Sequence, residues 1–202
     1  TDSHNTFTIY SESDPNFNET AVTALTKDEI NAPTMPKSFA RKILKYLITK
    51  DPPASLHSLG FTFNELFASN SYNLTPDEMI LAGYTIQMGH ADGLTNVELL
   101  AGGFTASHYK NAGYNVNDAD VDGFSLIELG SGFTVYEFKT AGISAANAFT
   151  AGFSYDEMIT AGYVASDFID SGISISDLSG ITYSKIKNAG FSATDFKAGG
   201  LL

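Results

Sequence analysis

The sequence contains no cysteine, which removes disulfides, thiolate nucleophiles and cysteine-based zinc sites from consideration. It has no apolar run approaching the ~18 residues that span a bilayer. Its opening stretch, Thr1–Tyr10, is polar and lacks the apolar core of a signal peptide. Cations are scarce: 11 Lys and Arg stand against 23 Asp and Glu, a formal net charge of -12. That balance argues against nucleic acid as a partner, because phosphate binding needs clustered Lys and Arg. A basic surface suits it better. No nucleophile elbow and no phosphate-cradling glycine loop occurs, and His4, His57, His90 and His108 have no ligand-spaced partners. Neither an enzyme nor a cofactor is expected.

Glycine, by contrast, is abundant and periodic, with 18 in 202 residues, which points to a repeat. Gly142-Ile143-Ser144-Ala145-Ala146-Asn147-Ala148-Phe149-Thr150-Ala151 is followed by Gly152-Phe153-Ser154-Tyr155-Asp156-Glu157-Met158-Ile159-Thr160-Ala161. Fourteen such units start at Gly60, Asn73, Gly83, Gly93, Gly103, Gly113, Gly123, Gly132, Gly142, Gly152, Gly162, Gly172, Gly180 and Gly190. Most spacings are ten residues; the exceptions are thirteen after Gly60, nine after Gly123 and eight after Gly172.

Each unit reads as a short helix with its own start and stop. In Gly190–Lys197, Ser192 sits at the N-cap position and Asp195 at the capping-box position three residues on. Phe191 and Phe196 have the spacing of a hydrophobic staple. The next glycine falls where a left-handed C-terminal cap is needed. The residue after the unit start is large and apolar throughout, the cap is Ser, Thr or Asn everywhere except Val164, and the box is acidic except at Met88, His108, Asn147 and Lys185. Helices of two turns are unstable alone, so the units must stack. The fold expected is all-α, a solenoid-like stack of short capped helices, each against its sequence neighbours. A β-solenoid is the alternative, since Phe, Ile, Thr and Tyr also suit strands.

Ahead of the repeats the chain divides into an extended arm (1–24), a helical segment (25–53) and the repeat domain (54–202). Thr26 and Glu29 have capping-box spacing. Ser38 is positioned to cap one longer helix, Phe39 to about Thr49, whose polar positions hold Arg41, Lys42 and Lys45. Candidate contact residues for a protein neighbour, or for a second copy, are Phe7, Ile9 and Tyr10 of the arm, those three cations, and the terminal Leu201 and Leu202. Asp118, Asp120 and Asp122 before Gly123 resemble the opening of a calcium loop. The closing acid is missing, since the twelfth position is Leu129. The competing reading is a solvated acidic corner, with Asp118 already explained as a box acid. In the Gly83 unit, Met88 replaces the acid and Gly89 the staple partner; the readings are a bend, a contact point, or degeneration without consequence.

The recurring Gly-Phe-Ser-Ala-Thr-Asp-Phe-Lys sentence of residues 190–197 resembles the decapeptide-repeat proteins of large DNA viruses, phages and some microbes, over roughly residues 60–202. The resemblance implies a role in assembly or attachment, within a virus particle first and in an extracellular setting second. It brings no catalytic residues.

Overall fold

A computed structural model describes residues 24–33, 35–50, 54–67, 72–121 and 123–200. Among the described residues all regular structure is helical, so the β-solenoid alternative fails. Phe7, Ile9, Tyr10, Asp122, Leu201 and Leu202 lie outside the described residues. The chain forms two compact halves, Thr1–Gly103 and Phe104–Leu202. The N-terminal half contains α1 (Lys27–Ile30), α2 (Lys37–Lys50), α3 (Ala54–Ser58), α4 (Phe63–Leu66), α5 (Pro76–Leu81), α6 (Ile86–Ala91) and α7 (Asn96–Ala101). The C-terminal half contains α8 (Ala106–Asn111), α9 (Val116–Val121), α10 (Leu126–Gly132), α11 (Val135–Thr140), α12 (Ala145–Thr150), α13 (Tyr155–Thr160) and α14 (Ala165–Asp170). A 3-10 helix (Ile175–Leu178), α15 (Tyr183–Asn188) and α16 (Ala193–Ala198) complete it.

The capping code is realised atom by atom. The Glu98 amide donates to Thr95 Oγ1 at 3.3 Å, and the Thr95 amide donates back to Glu98 Oε2 at 2.8 Å, which satisfies two first-turn donors at once. Aspartate closes the box as well as glutamate: the Ser192 amide reaches Asp195 Oδ2 at 2.6 Å. His108 takes the same role through Nδ1, which accepts from the Thr105 amide at 3.0 Å. At the other end the Gly83 amide donates to the Ile80 carbonyl and the Tyr84 amide to the Met79 carbonyl, 2.9 and 3.0 Å, the Schellman pattern. The large apolar residue after each glycine therefore closes one helix and clamps the next.

Val164 leaves its box half-made. Asp167 Oδ2 accepts from the Val164 amide at 2.7 Å, but valine has no hydroxyl to return the bond. Val164→Thr should raise stability by about 0.5–1 kcal/mol, read as a shift of the urea midpoint at unchanged slope; no gain would mean that this first turn is already satisfied.

Four sequence expectations are corrected. Helix α2 begins at Lys37, with the Phe39 and Ala40 amides bonded to the Pro36 carbonyl; Ser38 lies inside the helix. Every unit opens on a left-handed residue, Asn73 included, except at Gly132. There the nine-residue spacing leaves no room for a cap, and α10 runs on through Gly132 to an extended Phe133. In the eight-residue Gly172 unit the chain is too short for α-helical turns and winds as a 3-10 helix. Finally, helices stack beyond their sequence neighbours: α10 packs on α8 and α12, α12 on α14, α11 on α13 and, in the first half, α4 on α6.

The fourth helical position is buried in every unit, from Leu66 and Met79 to Ile186 and Phe196. The first helical position is also buried in many units, among them Phe63, Ile86, Ala106, Val116, Ala145 and Ala165. The pattern reading missed that second core row; the run of apolar and small residues right after the cap was its signal. One unit was also hidden ahead of the repeats. Leu25 and Ile30 are buried, and Thr26 and Glu29 close a capping box around α1.

Candidate functional site

The surfaces available to a ligand are set by how one unit covers another. The first turn of a helix lies under the end of the helix two units later. The Ala165 amide donates to the Ala189 carbonyl at 2.8 Å, and Asn117 Nδ2 donates to the Ala141 carbonyl at 3.0 Å. A Cβ on Gly199 would stand 2.0 Å from Ile175 Cγ2, and one on Gly132 would stand 2.6 Å from the Ala106 carbonyl carbon and the Ser107 nitrogen. Gly130, on the same helix, faces the Ala151 carbonyl oxygen in the same way, at 2.1 Å. Small residues at helix ends are thus required by contact, not only by backbone conformation.

Lysines four residues past the first helical position tie these layers together. Lys110 pairs with Glu137 at 2.8 Å and Lys139 with Asp167 at 2.6 Å, each reaching the box acid three units later. In the N-terminal half Lys27 pairs with Glu65 at 2.8 Å, and Lys45 pairs with Glu78. The helical segment before the repeats supplies there what an earlier unit supplies elsewhere. Of the three cations proposed for contact with a neighbour, Lys45 is therefore engaged within the chain, Arg41 is half-buried and its charge acts on Glu78, and Lys42 is exposed.

Two helices in the same layer leave a groove between them. One of ≈ 410 Å³ lies between Tyr114–Asn117 and the Tyr136, Glu137 and Thr140 face of α11. A smaller one, ≈ 180 Å³, is polar and crossed by the Lys139–Asp167 pair. The third, ≈ 340 Å³, lies between the Gly60 and Gly83 units and is lined by Phe61, Phe63, Tyr84 and Met88 with His57 and Asp92. Met88 stands where the other two grooves have an acid. Gly89 is buried there because Phe63 and Leu99 fill the staple partner's place; a Cβ would lie 3.3 and 3.2 Å from them.

Two of the three calcium candidates fall among the described residues. Asp118 Oδ2 accepts from the Asn115 amide at 2.9 Å as the box acid of its unit, and Asp120 is exposed. Among the described residues no group of three His, Asp or Glu side chains is arranged to hold a metal. No helix among them is long and apolar enough to cross a membrane.

Titration follows the caps. The Thr95 amide and hydroxyl hold Glu98 below the usual carboxylate range; the hydroxyl and then the amide of Ser125 and of Ser192 do the same for Glu128 and Asp195. Burial pushes Asp167 upward, but the Lys139 hydrogen bond and the Val164 amide outweigh it and its carboxyl is lowered. Burial pushes the Tyr163 phenol up to about 12, with help from Asp167. A carboxyl lowered in the folded state contributes stability that is complete above its unfolded value and is lost as pH falls through the folded one. Unfolding free energy should accordingly hold down to about pH 4.5 and drop steeply below it. Urea titrations across that range check this; a flat profile would mean that the boxes are as occupied in the unfolded chain as in the folded one.

Residues 132–202 match the model of the Decapeptide repeat region family. No curated protein and no solved structure matches the chain.

Proposed function

We propose that this chain, a decapeptide-repeat protein, is a non-enzymatic assembly protein that binds protein neighbours through its repeat faces and its N-terminal arm, as a minor or cementing component of a virus particle or similar assembly. The observation that carries this reading is the set of large apolar side chains turned outward from the repeats. Val97, Ile127, Tyr136, Phe149, Ile169 and Tyr183 are each at least half exposed, and apolar side chains of this kind mark protein contact sites where they gather into one patch. The abundant hydroxyls and acids, which a catalytic reading would draw on, are spent on caps. The particle setting rests on the resemblance to viral and phage repeat proteins.

Sedimentation velocity of the full chain, alone and after removal of the arm, residues 1–23, tests the assembly role, since α1 and α2 belong to the folded core and must stay. Higher-order species that depend on that segment support it. A chain that stays monomeric and gains stability from calcium supports instead a recognition module for a peptide or glycan. Tyr183, 57% exposed and packed on Phe196 at 4.7 Å between ring centroids, favours that second reading. Mass spectrometry of purified particles tests the setting.

A further inference from the structure

We infer that the groove between the Gly60 and Gly83 units takes an apolar side chain flanked by a basic one, presented by a protein neighbour. The inference rests on the reading that repeat faces bind proteins, and it names the chemistry one face selects. Three departures from the repeat meet in this groove. Met88 replaces the box acid, Asp92 replaces the small residue before the next glycine, and His57 contributes from α3. In the C-terminal half the corresponding acids Glu137 and Asp167 are drawn to lysines. With methionine there, no such pair forms, and the floor of Phe61, Phe63 and Tyr84 stays lined by a flexible, polarizable thioether suited to varied apolar groups.

The rim selects charge. Among the described residues Asp92 forms no ion pair, and its carboxylate accepts a long hydrogen bond from the Asn64 amide at 3.3 Å. Burial first, and then the charges of Glu65 and Asp92, push the Tyr84 phenol upward. Beside the groove, outside its lining, one ammonium is already held: Lys27 Nζ donates to the Gly60 carbonyl at 2.7 Å and to Glu65 at 2.8 Å, and lies 5.3 Å from the centroid of the Phe61 ring. That ammonium already pairs with Glu65, so the carboxylate within the groove left to draw a partner's cation is Asp92. The chain's own arm does not fit, because residues 1–23 contain no Lys or Arg and four acids.

The test uses the full chain labelled with ¹³C at its methionine methyls. There are four methionines, and Met79 and Met158 are fully buried, so Met88 reports on the groove. The probe is a blocked alanine-lysine-phenylalanine-lysine-alanine peptide, and glutamates replace its lysines in the control. The lysine peptide should shift the Met88 signal saturably below about 5 mM and leave Met79 and Met158 still; the glutamate peptide should not. Asp92→Asn, which keeps an acceptor for the Asn64 amide, should weaken binding about threefold to fivefold at unchanged melting temperature. A silent Met88, equal response to both peptides, or undiminished affinity in Asp92→Asn overturns the inference. A chain that assembles in sedimentation while Met88 stays silent sinks the groove and keeps the assembly role; a responsive Met88 on a chain that never assembles does the reverse.

Discussion

Gly132→Ala should cost about 3 kcal/mol, the upper end of what an overpacked site loses. The new methyl carbon would lie 2.6 Å from the Ala106 carbonyl carbon and the Ser107 nitrogen, and backbone atoms cannot rotate aside as a side-chain tip can. Gly142 makes the comparison sharp. It is left-handed, φ 76°, and its Cβ would meet nothing within 4 Å, so alanine there costs only the backbone term of roughly 1–2 kcal/mol. The order should invert with asparagine. At 142 asparagine should be milder than alanine, as Asn73 shows by adopting φ 48°; at 132 it should be worse. Denaturant unfolding of the four variants decides. If Gly132→Ala costs no more than Gly142→Ala, helices α8 and α10 do not approach as closely as described.

Phe168→Ala should cost about 3–5 kcal/mol, the usual loss for a buried aromatic. The ring is fully buried and meets Tyr155, Tyr163 and Phe191 at centroid distances of 6.1, 6.3 and 6.0 Å. Those rings come from three different units, so one deletion loosens all of them. In a stack held by neighbour contacts, the melting temperature of the C-terminal half should fall by roughly 12–40 °C. Tyr136→Ala, in the same half but 66% exposed, should stay within about 0.5 kcal/mol of the parent. Equal effects at the two positions would contradict the core assignment.

How much of this is written in the sequence depends on whether the information is local. Capping boxes, staples and left-handed glycines involve residues within one decapeptide, and the pattern predicts them, although His108, counted there as an exception, closes its box all the same. The stacking rule lies outside a single unit. Nothing inside one decapeptide says that its first turn will lie under a helix end some twenty residues later, so the burial of Ala106, Ala145 and Ala165 was missed. Gly132 was misread for a related reason. Its place in the period matches a cap, but it is glycine because Ala106 lies against it. The groove at Met88 was legible only as a break in the pattern. That Asp92, His57 and Met88 share one wall emerges from stacking two units that their sequence keeps apart.

In the C-terminal half the ion pairs and end-on contacts that join layers span a narrow range of sequence separations: 24 residues for Asn117 to Ala141, 27 for Lys110 to Glu137, 28 for Lys139 to Asp167. During synthesis this sets a constant lag. A unit leaving the ribosome can cap its own ends at once, but its first turn stays bare until two more units have followed. The nascent chain therefore always trails an unfinished stretch of roughly the same length, however many repeats precede it. Its exposure to misassociation should not grow as the array lengthens, because each of these contacts waits for a stretch of fixed length and not for a distant part of the chain.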